Sequence, residues 1–213
     1  MSWVRSIKYL HEQKQKEVKS KYYRRLAYDE ILSNFLVLSQ VRKRIKKSKK
    51  RNKIFDNYIS DVLIKNFDFL LTSDQKNVIE EINKDLKSEY KMFRILQGDV
   101  GSGKTIVSYV AAANVIKSNY QVVMMAPTEI LAKQHYNLAR KIFNSTNISI
   151  EFLSGKTSRK DKILIEKNLL NGKIDFLIGT HALFQKRITF KNLGFAIIDE
   201  QHKFGVKQRI ELS

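Results

Sequence analysis

Thirteen residues, Phe93 to Thr105 (FRILQGDVGSGKT), constrain the fold more than any other stretch, because a strand-like apolar run leads into a glycine-rich turn that ends in lysine and threonine. Gly98, Gly101 and Gly103 let the backbone curl so that its N–H groups point inward, a shape that side chains would obstruct. Such a nest, with the amide of Ser102 in it, holds phosphate oxygens. Lys104 can reach the β- and γ-phosphates, the Thr105 hydroxyl can ligate Mg²⁺, and the helix that starts here adds its positive end. Gly98 to Thr105 fits the pattern GxxxxGK[ST] in full. The alanine-rich run after it, TIVSYVAAANVIK, reads as the helix this loop requires.

Beyond the loop, short apolar runs alternate with helical ones: QVVMMAP, TEILAKQHYNLARKIF, ISIEFL, a polar helix, IDFLIGT and LGFAIIDE. Apolar strands separated by helices predict an α/β fold, a parallel sheet with helices on both faces. Ligands gather at the carboxyl ends of such strands. At one of these ends Phe195 to Ile198 lead into Asp199 and Glu200, which has the form of a Walker B motif. There Asp199 can hold the metal that Thr105 contacts, and Glu200 can orient and deprotonate the attacking water.

Upstream, KNVIEEINKDLKS has helical periodicity, and Thr72 or Ser73 would cap it. Gln75 then reads as an ordinary surface residue of the first turn. From Trp3 to Gln40 apolar residues recur at helical spacing, without glycine or proline. Residues 1–66 carry 18 Lys and Arg against 6 Asp and Glu, a net +12, leaving +7 of the chain's +19 for the remainder. A polyanionic partner is the natural complement of that charge. The densest run, Arg42 to Lys53, suits either phosphate contact or a solvated linker. With no cysteine in the chain, disulfides and thiolate zinc sites are excluded, which fits a reducing compartment. No apolar run approaches the roughly 18–20 residues of a membrane span, and the N-terminus turns polar too soon for a secretory signal, so a cytoplasmic location is expected.

Together GDVGSGKT, MAPTEILAKQHY, GTHAL and DEQHKFGVKQR resemble the RecG family of bacterial DNA helicases, in superfamily 2. Gln201 favours this family over its relative, the transcription-repair coupling factor Mfd. SIKYLH and RRLAYDEILSNFLVL resemble the segment that links the RecG wedge domain to its motor. The resemblance implies a P-loop NTPase fold of the RecA-like kind, ATP and Mg²⁺ as cofactors, and branched or forked DNA as partner, in recombination and repair. It divides the chain into a basic, mostly helical linker segment at 1–66, following a missing wedge domain, and an incomplete first RecA-like lobe at 67–213. Gln75, with Phe69 or nearby residues, takes the place of the adenine-recognising motif, and Lys104, Thr105, Asp199 and Glu200 that of the ATP and magnesium site. Ala126, Pro127, Thr128 and Glu129, with Gly179 and Thr180, fall where the family holds DNA backbone. Helix caps alone would also explain Thr128 and Thr180. His202 would relay the nucleotide state, or serve as a local hydrogen-bonding residue.

The family's motors close ATP between two lobes, the second of which supplies an arginine finger, and this chain stops at Ser213. A fragment is therefore expected, inactive alone, since losing such a finger removes a factor of about 10³ or more. The strand that would follow Walker B and lie between the two Walker strands would be absent too. A complementary fragment carrying the second lobe is a possible partner. Two alternatives stand beside the helicase reading: a non-catalytic basic nucleic-acid-binding remnant, and an Mfd-like translocase lobe.

Overall fold

The computed structural model describes residues 2–12, 20–47, 53–55, 58–65, 67, 70–184 and 188–200. Phe69, Gln201, His202 and the rest of DEQHKFGVKQR beyond Glu200 lie outside the described residues, as does part of the basic run from Arg42 to Lys53. The chain forms two compact units, Met1–Lys50 with Glu89–Phe93, and Arg51–Ser88 with Arg94–Ser213.

Among its described residues the first unit carries two helices, α1 (Trp3–Glu12) and α2 (Lys21–Lys47). Serines start both: Ser2 Oγ accepts from Arg5 N–H at 3.4 Å, and Ser20 Oγ from Tyr23 N–H at 3.2 Å. The helices meet through the stacked rings of Tyr9 and Tyr22, with centroids 3.7 Å apart. The apolar residues Tyr28, Ile31, Phe35 and Leu36 of α2 stand exposed.

The second unit is an α/β layer structure. Helix α3 (Tyr58–Lys65) and helix α4 (Ser73–Lys87) pack on helix α5 (Lys104–Lys117). Helix α4 buries Ile79, Ile82 and Leu86, the three- and four-residue spacing of a one-sided helix. Helix α5 is buried on every side through its middle, from Tyr109 to Val115, and its alanines Ala111, Ala112 and Ala113 are fully buried. A helix with that composition belongs in the middle of a domain, because its small side chains let neighbours approach from every side.

Strand β1 (Gln121–Met125), helix α6 (Glu129–Ile142), strand β2 (Ile150–Leu153), helix α7 (Arg159–Leu170), strand β3 (Phe176–Gly179) and strand β4 (Leu193–Ile198) follow in turn. The four strands form one parallel sheet in the order β2-β3-β1-β4. Strand side chains alternate between faces. On one face Val123, Met125, Leu153 and Leu177 pack with Ile165 and Leu169 of α7. On the other, Phe176 meets Tyr109 of α5 edge-on at 5.9 Å and Phe143, just after α6, at 6.0 Å. Helices thus cover both faces, as the apolar strands predict.

One expected strand does not form. Residues 93–97 form no strand, and Phe93 and Ile95 are 53 % and 63 % exposed. A strand exists only by pairing, and β4 is bonded to β1 alone among the described strands. The apolar run before the loop carries strand propensity and lacks a neighbour to spend it on.

Among the described residues, no helix is long and apolar enough to cross a membrane.

Candidate nucleotide site at the strand ends

The phosphate loop turns through two left-handed glycines, Gly101 at φ 83° and Gly103 at φ 82°. Gly103 is constrained twice, because a Cβ there would also run into the carboxamide of Gln75. Ser102 N–H closes a tight turn on Asp99 O at 3.2 Å, and the first bonds of α5 return to Gly103 O. Lys104 folds its ammonium onto its own loop, donating to Gly98 O at 2.8 Å and Asp99 O at 2.6 Å. Two neutral carbonyls hold a cation less well than phosphate oxygens do, so the lysine is free to exchange them.

Gln75 occupies more than a surface position. Thr72 Oγ1 accepts from Gln75 N–H at 3.2 Å, and Gln75 Oε1 accepts from Thr72 N–H at 2.9 Å, a complete capping box at the start of α4. Its Nε2 donates to Ser102 O at 2.9 Å. One side chain therefore fixes a helix start and touches the phosphate loop.

Asp199 follows β4, with its N–H bonded to Met125 O at 2.8 Å. One carboxylate oxygen, Oδ2, lies 2.8 Å from His135 Nε2, and the other accepts from Glu200 N–H at 3.0 Å. The bond to His135 holds the carboxyl below the usual carboxylate range; the amide of Glu200 and the charge of Lys104 add to this, and partial burial opposes it. Asp199 is thus an ionised oxygen donor within electrostatic reach of the loop lysine. Glu200 adopts a left-handed φ of 51°, uncommon for a residue with a side chain.

The residues expected at DNA divide by exposure. Thr128 is exposed and caps α6, accepting from Leu131 N–H at 3.3 Å, while Pro127 is half-buried. Ala126 is buried, its N–H on Gly179 O at 3.0 Å, and Glu129 pairs with Lys156 at 3.5 Å. Gly179 ends β3, where a Cβ would strike the carbonyl of Leu153 in the neighbouring strand. Thr180 is 4 % exposed, and its hydroxyl finds no hydrogen-bond partner.

Two residues near the site escape sequence reasoning. His135 meets Asp199 across 64 residues of chain, and Tyr109 donates its hydroxyl to His135 O at 2.8 Å. Burial, and then the charge of Asp199, push the Tyr109 phenol up, which keeps it a donor. The only local signal for His135 is its place seven residues after Thr128, two turns along one helix face.

The chain matches the DEAD/DEAH box helicase family over residues 72–213. It belongs to that family. DEAD/DEAH box helicase domains use ATP, in agreement with the phosphate loop. The chain is 45 % identical over 185 residues to the ATP-dependent DNA helicase RecG of Thermotoga maritima, covering 87 % of this chain and 24 % of that protein. With RecG of Bacillus subtilis it shares 38 % over 211 residues, 99 % of this chain and 31 % of that one. It spans about a quarter to a third of the length of these relatives. A structure of RecG bound to a three-way DNA junction superposes with a TM-score of 0.78 at 39 % identity, over 93 % of this chain and 29 % of that one. The fold is shared more distantly with a hypothetical ATP-dependent RNA helicase from Sulfolobus tokodaii, at 19 % identity and a TM-score of 0.53. The likeness to RecG read from the motifs is therefore also present in the fold.

Proposed function

We propose that this chain is the ATP-binding part of a RecG-like DNA helicase that acts on forks and junctions in recombination and repair. The observation that carries the reading is the phosphate loop lying within electrostatic range of the strand-end carboxylate Asp199, with Gln75 in contact with the loop. Lys104 leaves the carbonyls of Gly98 and Asp99 for the phosphates, and the amides of Gly101 and Gly103, with that of Ser102 once it leaves Asp99 O, surround them. Gln75 turns its carboxamide to adenine. Thr105 and Asp199 fit Mg²⁺ by donor chemistry: a hydroxyl and an ionised carboxylate are hard oxygen donors, and this metal takes one or two protein ligands beside phosphates and water. When bound, Mg²⁺ supplies neutralisation of phosphate charge. Among the described residues no cluster of three His, Cys, Asp or Glu offers an all-protein cage. Glu200 accepts the proton of the attacking water.

In this reading Pro127 and Thr128 at the start of α6 hold DNA backbone without reading sequence, and Gly179 and Thr180 open toward it. In this reading 1–66 is the basic linker segment and 67–213 part of the first motor lobe. Efficient turnover needs a second lobe, from the remainder of a longer chain or from a complementary polypeptide.

The net +12 of residues 1–66 favours a second reading, a basic module that holds nucleic acid by charge alone. Binding of forked and linear DNA across a salt series, with and without an ATP analogue, separates the two. The helicase reading expects a fork preference that survives moderate salt and responds to nucleotide; equal, nucleotide-blind binding with a steep salt slope would overturn it.

A further inference from the structure

We propose that His135 is a positioning residue for Asp199, tying the geometry of the metal-binding carboxylate to the placement of helix α6. The inference rests on the ATP-binding reading above and deepens it.

Both oxygens of Asp199 are engaged, Oδ2 by His135 Nε2 at 2.8 Å and Oδ1 by the amide of Glu200 at 3.0 Å. The amide is part of the same turn and moves with the carboxylate. The imidazole comes from another element, so among the described residues it is the hydrogen-bond partner that ties the carboxylate to something outside that turn. Its side chain is only 12 % exposed, which removes most competition from water. The histidine is itself held: its backbone carbonyl accepts the Tyr109 hydroxyl at 2.8 Å, and Tyr109 is fully buried against Phe143 and Phe176. Tyr109 sits on α5, the helix that begins with Lys104 and Thr105. One residue thus connects the helix of the phosphate loop, the helix that starts beside Thr128, and the carboxylate after β4.

A carboxylate whose rotamer is already fixed loses no freedom on meeting a cation. Partners that orient a metal-binding group in this way typically matter by about 10- to 100-fold in metal affinity. Without the imidazole, Asp199 keeps its charge and loses its orientation.

The test is metal dependence on the full chain, read by Mn²⁺ electron paramagnetic resonance and by fluorescent nucleotide binding with and without Mg²⁺. His135→Ala is expected to bind a β,γ-imido ATP analogue as wild type does without metal, and to need about tenfold more Mn²⁺ for the metal-nucleotide signal. His135→Gln, whose amide N–H reaches as far as Nε2, should restore most of the affinity, and the shorter His135→Asn should not. The Gln and Asn variants decide the matter if the alanine variant fails to fold. Unchanged metal dependence in the non-donating variants, or equal impairment of the Gln and Asn variants, would overturn the proposal. Failure of the wild type to bind nucleotide even without metal would overturn the ATP reading, and with it this one.

Discussion

Replacing Gln75 by glutamate separates two jobs that one side chain performs. As acceptor of the Thr72 N–H, at 2.9 Å in the wild type, a glutamate serves equally well, and its charge suits a helix N-terminus. The start of α4 should therefore keep its stability. As donor to Ser102 O, at 2.9 Å, glutamate fails and puts a carboxylate against a carbonyl beside the phosphate loop. In the ATP complex glutamate also lacks the amide N–H that Gln75 turns to adenine, and losing that hydrogen bond costs about 1 kcal/mol of binding. Repulsion between the new charge and a metal-bound triphosphate of net charge about −2, taken at roughly 8 Å in water, adds about 1 kcal/mol. The sum, about 2 kcal/mol, weakens ATP about thirtyfold. Gln75→Ala is the control: it loses half the capping box and the loop contact without adding charge, so stability falls by about 1 kcal/mol and affinity by about fivefold. Urea unfolding and calorimetric titration with a non-hydrolysable ATP analogue read the two quantities separately. Wild-type affinity in Gln75→Glu, or a stability loss as large as that of the alanine variant, would refute the reasoning.

Other perturbations have expected outcomes of their own. Gly179→Ala places a methyl against the backbone of Leu153, which cannot move without parting β2 from β3, so stability should fall by about 2 kcal/mol or more in urea unfolding. Loss of DNA binding with unchanged stability would instead assign Gly179 to the DNA backbone. The carboxyl of Asp175 is raised above its ordinary value of 3.8 by burial, with the amide of Ser149 opposing. A raised carboxyl favours the folded state below its unfolded pKa, and that contribution is lost as pH rises through the folded value. Asp175→Asn keeps an acceptor for Ser149 N–H and should raise the urea midpoint at pH 7, with the gain vanishing toward pH 3; a gain that persists at pH 3 would contradict this.

Much of the second unit is legible in the sequence because its signals are local. Thr72 and Thr128 stand where helices begin and accept the expected backbone N–H bonds, and the four runs after the loop became four parallel strands. FRILQ misleads because propensity is a property of the segment and pairing a property of its surroundings. Gln75 reads from the sequence as an ordinary surface residue of the first turn, and its bond to Ser102 depends on how α4 packs against the loop. The contact of His135 with Asp199 has no local signature; it exists because α6 and the end of β4 come together in the folded sheet. Thr180 shows the converse, a motif residue whose sequence suggests a contact and whose hydroxyl is buried without one.

The central claim is that the loop from Gly98 to Thr105 binds ATP in this chain. Calorimetric titration with Mg²⁺ and a non-hydrolysable ATP analogue, run in parallel on wild type and Lys104→Ala, tests it most directly. Saturable one-site binding is expected in the wild type and its loss in the variant, whose fold should be intact because, among the described residues, the lysine ammonium is hydrogen-bonded to carbonyls of its own loop. Equal binding by both proteins, or no binding by a folded wild-type chain, would contradict it.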